Sequence, residues 1–152
     1  MNNALVPRDL RRHLTPDMKV ALMRLLRYVV FEDNFTLIKS KADFKSGMIV
    51  GMVLNAIKDK SDAPHFKIAM MGMEIITTFE KFVSTNMDDL VDFVLPITRW
   101  LTFNNFKIVN RAMLSLESIL NNMKCRSKFC LAGGITYLIN SIANINTEMS
   151  KN

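Results

Sequence analysis

The sequence predicts an all-α fold built as a short stack of about three similar helical units, and three observations carry that prediction. A phrase that begins at His65 recurs forty residues later, at Asn105. Helix-start residues stand in front of most of the long apolar segments, and no segment alternates polar and apolar residues for long enough to form a strand. With 152 residues, 49% of them hydrophobic, 22% charged, five Gly and four Pro, the chain has the composition of one folded domain and not of a disordered segment.

The elements follow in chain order. Thr15-Pro16-Asp17 places a capping hydroxyl, a proline suited to the first helical position and an acid at the positive end of the dipole, so a helix should run from Pro16 to about Phe31. Its polar positions are few (Lys19, Arg24 and Arg27), which predicts burial on most sides. Phe35 to Lys41 is a short helix or a connection, and Phe44 to Lys58 is a second long helix, with Met48, Ile49, Met52, Val53 and Ile57 at helical spacing. Lys60-Ser61-Asp62-Ala63-Pro64 launches a third, through His65 to about Val83. After a loop at Ser84 to Met87, a helix or helix pair spans Asp88 to Phe103 and is interrupted at Pro96. Asn104 and Asn105 start a helix reaching about Met123, and Ser127 to Ile145 supplies the last one or two helices, bent at Gly133-Gly134. The domain is expected to cover residues 15–146, between a basic leader at 1–14 and a tail at 147–152.

The repeat is specific at several positions. Phe66-Lys67-Ile68 superimposes on Phe106-Lys107-Ile108 and Met73 on Met113, so Phe66 and Phe106 should occupy like environments. The first helix joins more weakly, Met18-Lys19-Val20-Ala21 matching Phe66-Lys67-Ile68-Ala69 after 48 residues instead of forty. Leu95 to Leu101 matches Gly133 to Ile139 in the intervening element. The segment FCLAGGITYLINSI, Phe129 to Ile142, resembles the armadillo phrase in which a short helix ends in Ala-Gly-Gly and a second opens with Ile; the preceding NNFKIVNRAMLSLESIL resembles the long third helix of such a unit. The two glycines let the chain turn sharply and allow close backbone approach. The resemblance to armadillo/HEAT-like proteins is best over residues 62–145, and it implies a short right-handed solenoid of about three repeats, with the third helices side by side as a binding wall.

On those third helices the resemblance implies where a partner would sit, and the sequence departs from the family pattern there. The Trp and Asn that grip extended peptides in armadillo proteins are replaced by Leu114 and Ser118, by Glu74 and Thr78, and by Leu26 and Val30. The wall is instead soft and apolar: Met23, Leu26, Val30, Met71 and Leu114, edged by Arg111 and Glu74. Such a surface suits a partner protein's helix or short linear motif docking through hydrophobic anchors. Lys19, Lys67 and Lys107 recur near the starts of the three long helices and make a basic edge, about 10 Å from helix to helix. With the Arg-rich leader (Arg8, Arg11, Arg12) and a net charge of +6, that edge is the alternative site, for an acidic partner such as nucleic acid or a tubulin-like surface.

Enzyme chemistry has no motif to stand on. His13 and His65 lack a placed nucleophile or carboxylate, and Cys125 and Cys130 lack zinc-ligand spacing and are expected as free thiols. Gly133-Gly134 lacks the Lys and Ser/Thr of a phosphate loop, and Asp88, Asp89 and Asp92 stand at a helix start where acids are favoured. No catalytic residue, metal or cofactor is expected. Neither a secretory leader nor a membrane-length apolar run is present, the longest being Gly47 to Ile57, which predicts a cytoplasmic or nuclear protein without a membrane partner. The last helix, with Tyr137, Leu138, Ile142 and Ile145, has no polar cover, so a second copy of the chain or a continuation of it is expected against that end.

Overall fold

The computed structural model describes residues 15–31, 46–58, 63–78 and 90–151, and these form seven helices with no strand among them. They are α1 (Pro16–Phe31), α2 (Ser46–Lys58), α3 (Ala63–Thr78), α4 (Val91–Trp100), α5 (Phe106–Ile119), α6 (Met123–Leu131) and α7 (Gly134–Ser150). The leader, the Phe35 to Lys41 element, the Lys60 to Asp62 cap and the loop at Ser84 to Met87 lie outside the described residues.

Capping chemistry sets most of the visible boundaries. The Thr15 hydroxyl accepts from the Met18 amide at 3.3 Å, and the first α-helical bond runs from Lys19 N–H to the Thr15 carbonyl at 3.0 Å, as the Thr-Pro-Asp start predicts. Asn105 caps α5 through Lys107 N–H at 3.0 Å. That helix stops at Ile119, earlier than the apolar pattern suggests, because Asn122 turns outward as the cap of a new helix and accepts from Lys124 and Cys125 at 2.8 and 3.3 Å. At the end of α6, Gly133 takes φ +74°, which side-chain-bearing residues rarely adopt, and a Cβ on Gly134 would run into the Phe129 ring. Both roles expected of the glycine pair are therefore present, and α7 continues beyond Ile145 to Ser150.

Pro96 does not interrupt α4. The helix carries it at an interior position, where the lost ladder bond and the clash of the ring with the preceding turn together cost about 3 kcal/mol. Burial of Phe93, Val94, Ile97 and Trp100 along the same helix offsets that loss.

The helices pack in two rows. In one, α1 lies against α3 and α3 against α5; in the other, α2 lies against α4 and α4 against α6, with α7 following α6. The rows are joined by α2 on α3 and by α4 on α5. Between α3 and α5 the burial pattern repeats at a forty-residue offset: Ile68 and Ile108, Ala69 and Val109, Gly72 and Ala112, Ile75 and Ser115, Ile76 and Leu116 are all buried, while Lys67 and Lys107 are exposed. The first helix does not keep this register. Ala21 and Leu25, which align with the fully buried Ala69 and Met73, are exposed, and so is Met18. Among the described side chains of α1, Met23 is buried, Lys19, Val20 and Leu22 are half-buried and Asp17, Met18, Ala21, Arg24 and Leu25 are exposed, while α3 packs along the helix.

Buried side-chain donors stitch neighbouring helices together. Trp100 Nε1 donates to the Ile57 carbonyl at the end of α2 at 2.6 Å, and Ser141 Oγ donates to the Leu101 carbonyl at the end of α4, also at 2.6 Å. Each fills a vacancy that a helix terminus leaves, since the last carbonyls have no intrahelical donor. The two joints differ in what surrounds the bond. Around the first, Phe66, Trp100 and Phe103 form an aromatic cluster with centroids 5.1 to 6.4 Å apart. At the second, a serine stands where the indole stands, and Phe106 is left 62% exposed beside a cleft of about 450 Å³ shared with Ile145 and Met149. Phe66 and Phe106 thus occupy matching places near helix starts with unlike cover, and hydrogen bonding pairs Trp100 with Ser141, three residues beyond the Leu138 that sequence matching gives.

Replacing Trp100 by Phe should keep the apolar packing and strip one donor from a buried carbonyl. A loss of about 1–3 kcal/mol is expected, read as a lowered urea midpoint with an unchanged far-UV spectrum.

Candidate functional site

The exposed side of α3 and α5 carries most of the residues that sequence matching nominates. Residues spaced by three and four share a helix face, so Lys67, Met71 and Glu74 form one strip on α3 and Arg111, Leu114 and Ser118 another on α5. Because α3 and α5 are packed side by side, the strips adjoin.

Hydrogen bonds hold this pair rigidly. Ser115 Oγ, fully buried between the helices, shares its one hydrogen between the Met73 carbonyl at 3.1 Å and the Arg111 carbonyl at 2.9 Å. Arg111 Nη1 donates to Thr77 Oγ1 at 3.3 Å, and the Thr77 hydroxyl in turn shares its one hydrogen between the carbonyls of Met73 and Glu74 at 3.2 and 3.0 Å. Arg111 is therefore half-buried and fixed across the seam between the two helices. Ser118 Oγ turns back onto the Leu114 carbonyl at 3.1 Å. Leu114 stands 39% exposed between them, flanked by half-buried Met71, Glu74 and Met113. A fixed cation beside an apolar knob on a rigid helix pair is what a partner's hydrophobic anchor and a neighbouring acidic or carbonyl group would need.

The nominations on α1 fare differently. Met23 is 4% exposed and belongs to the core, so it fronts no wall; the apolar side chains that α1 offers to the outside are Met18 and Leu25, the latter 63% exposed. The physical reason is the 48-residue spacing of the weak match. That extra length lies in the chain between the two helices and leaves α1 with different neighbours: α3 is packed against both α1 and α5, whereas α3 is the main neighbour of α1, so equivalence in sequence is not equivalence of face. The side chains of Leu26, Val30 and Thr78 lie outside the described residues. On the basic edge, Lys67 and Lys107 are exposed and Lys19 is half-buried, near the starts of three helices packed in succession.

One feature escaped sequence reasoning. Ser115 and Ser141 carry buried hydroxyls that lock helix to helix, and the only signal for Ser115 was a polar residue standing forty positions after the core residue Ile75. The uncovered apolar flank expected on the last helix is present on α7, where Tyr137 and Ile142 are exposed and Leu138 and Ile145 half-buried, and it extends to Ile135, Ile139 and Met149.

Thiol chemistry is confined to one position. Both cysteines are free, Cys125 buried and Cys130 exposed. Burial pushes the Cys125 thiol up from its ordinary value of 9.0, with Lys128 pulling weakly the other way. His13 lies outside the described residues, as does the His65 side chain. Among the described residues no three metal-ligating side chains converge and no helix is long and apolar enough to cross a membrane. No protein family, curated protein or solved structure matches the chain.

Iodoacetamide applied to the native chain at about pH 8 should label Cys130 first, and Cys125 only as the fold opens, since only an exposed thiolate is attacked. The raised Cys125 value also fixes a sign: the folded state disfavours the thiolate, so this site's contribution to stability is complete below pH 9.0 and declines as pH rises past it. A Cys125→Ala chain should lose that alkaline decline, as measured by urea midpoints across the range.

Proposed function

We propose that this chain is a non-enzymatic interaction scaffold, a short right-handed solenoid of armadillo/HEAT-like units working in the cytoplasm or nucleus, which takes a partner protein's helix or short linear motif on the outer face of α3 and α5. The observation that carries this reading is Leu114, an apolar side chain left exposed on a seam that Arg111, Thr77 and Ser115 make rigid. The forty-residue recurrence of burial between α3 and α5 supports the solenoid, because like units that bury like faces build a continuous surface. Met71, Glu74 and Ser118 complete the face, Met71 supplying an adaptable thioether that accommodates varied anchors.

A second reading is favoured by the open flank of α7. Ile135, Ile139 and Ile142 follow helical spacing, with Met149 beyond Asn146 on the same side, so a second copy of the chain laid against α7 would remove these apolar side chains from water. Light scattering over a range of concentrations tests it: a mass that doubles, and that returns to the monomer value on Ile139→Glu, supports self-association, whereas a monomer throughout removes it.

The face itself is tested by capture from a cell extract. Leu114→Glu should abolish capture of the partner with helicity unchanged, since a charge on a desolvated anchor costs several kcal/mol, about 2–5 for buried contacts. Lys67→Glu combined with Lys107→Glu should leave that capture within about twofold, and the captured complex should respond weakly to salt. Loss of capture in the lysine pair together with a steep salt dependence would transfer the function to the basic edge and an acidic partner such as nucleic acid or a tubulin-like surface.

A further inference from the structure

Away from the α3 and α5 face, a cleft of about 530 Å³ opens where α2, α4 and α6 meet. Leu54 and Pro96 give it an apolar floor, and four charged residues line it: Lys58 from α2, Asp92 and Arg99 from α4, and Lys128 from α6. On α4, Asp92, Pro96 and Arg99 are separated by four and three residues and so lie along one stripe. Lys58, Arg99 and Lys128 each stand in the last turn of their own helix, where the negative end of the dipole favours a cation. That explains each singly. It does not explain why three such cations meet around one cleft, since like charges gathered there repel one another unless an anion sits between them. None of the four charged groups makes an ion pair among the described residues, and Asp92 offsets only one of the three cations, so the cleft carries a net charge of about +2 by simple counting of ionised side chains.

We propose that this cleft binds a phosphate monoester. Charge and geometry both select that group: it brings about −1.5 to −2 charge and three acceptor oxygens, against a planar guanidinium fork and two ammonium groups delivered from three helices. A carboxylate offers half the charge and two oxygens. Asp92 repels the dianion but accepts from a donor close to it, such as a hydroxyl or a backbone N–H carried by the second carbon from the ester oxygen, and the Leu54 and Pro96 floor receives the carbon skeleton. The group reaches the cleft either on a phosphorylated side chain or as a small free ester; the recognition chemistry is common to both. This site is independent of the α3 and α5 face, and either can fail without the other.

The test is an amide NMR titration of the full chain with N-acetyl-O-phosphoserine amide, with glycerol 3-phosphate, and with acetate at matched ionic strength. Saturable shifts of the Lys58, Arg99 and Lys128 amides are expected with both phosphates, and none with acetate. Arg99→Gln should weaken binding by about tenfold, and Lys128→Gln similarly, because each removes a charge-assisted bond from a shared anion. Asp92→Asn should tighten it several-fold. All three substitutions replace solvent-accessible side chains, so the fold should survive, and Asp92→Asn keeps the proposal testable even if the cation variants are destabilised. A stronger response to the phosphoserine amide assigns the source to a modified protein, and a stronger response to glycerol 3-phosphate assigns it to a free ester. No saturable response below roughly 10 mM, the weak end of useful affinity, overturns the proposal. An acetate response equal to that of phosphate, or binding unaffected by Arg99→Gln and Lys128→Gln, overturns it as well.

Discussion

Three buried hydrogen bonds, each from a side chain to a carbonyl some forty residues behind it, hold the described helices in order. Trp100 reaches back 43 residues to Ile57, Ser115 reaches back 42 to Met73, and Ser141 reaches back 40 to Leu101. A helix terminus buried against a neighbour must have its last carbonyls satisfied, or each unmet acceptor costs about 1–3 kcal/mol. Here a later helix supplies the donor, α4 at the end of α2 and α7 at the end of α4, while Ser115 pins α5 to α3. Packing alone is tolerant of small slides; these bonds, each reaching one particular carbonyl of another helix, fix the axial position of one helix on another.

That fixed register is what gives the exposed side of α3 and α5 its definition. Leu114 and Arg111 come from α5, Met71 and Glu74 from α3, and their mutual placement depends on Ser115 and on the Arg111 to Thr77 bond more than on any contact among themselves. A recognition surface made of two separate helices is only as well defined as the joint between them. The cationic cleft has the same dependence on the other row, since its three cations arrive from three helices and Trp100 anchors α4 against α2.

How much of this was legible in the sequence varied with the physical signal. Local capping chemistry was readable: Thr15 and Asn105 start helices where their side chains predict, and Gly133-Gly134 makes the tight turn and close approach expected of it. Pro96 misled because the rule that it breaks a helix is local, whereas burial of Phe93, Ile97 and Trp100 on the same helix is a tertiary gain. Asn122 was missed because the helix that it caps is mostly polar, with Lys124, Arg126, Ser127 and Lys128 in it, so no apolar period announces a new element there. The candidate face was readable on α3 and α5, where the spacing is forty, and misassigned on α1, where Met23 proved to be core and Leu25 exposed. The serine ties could not be read, because a buried hydroxyl and a solvated one are the same letter until the partner carbonyl forty residues away is known.

The two joints that end α2 and α4 carry the same bond in unlike settings, and the contrast has an energetic consequence for the molecule as a whole. Indole and two phenyl rings surround one; a hydroxyl beside a partly empty hollow surrounds the other. Cooperativity should therefore taper along the chain, with α7 opening in sub-global excursions that leave the Trp100 region closed. Amide deuteration would register this as a gradient, fastest in α7 and slowest around α4, and any ligand that seals the hollow beside Phe106 would flatten it.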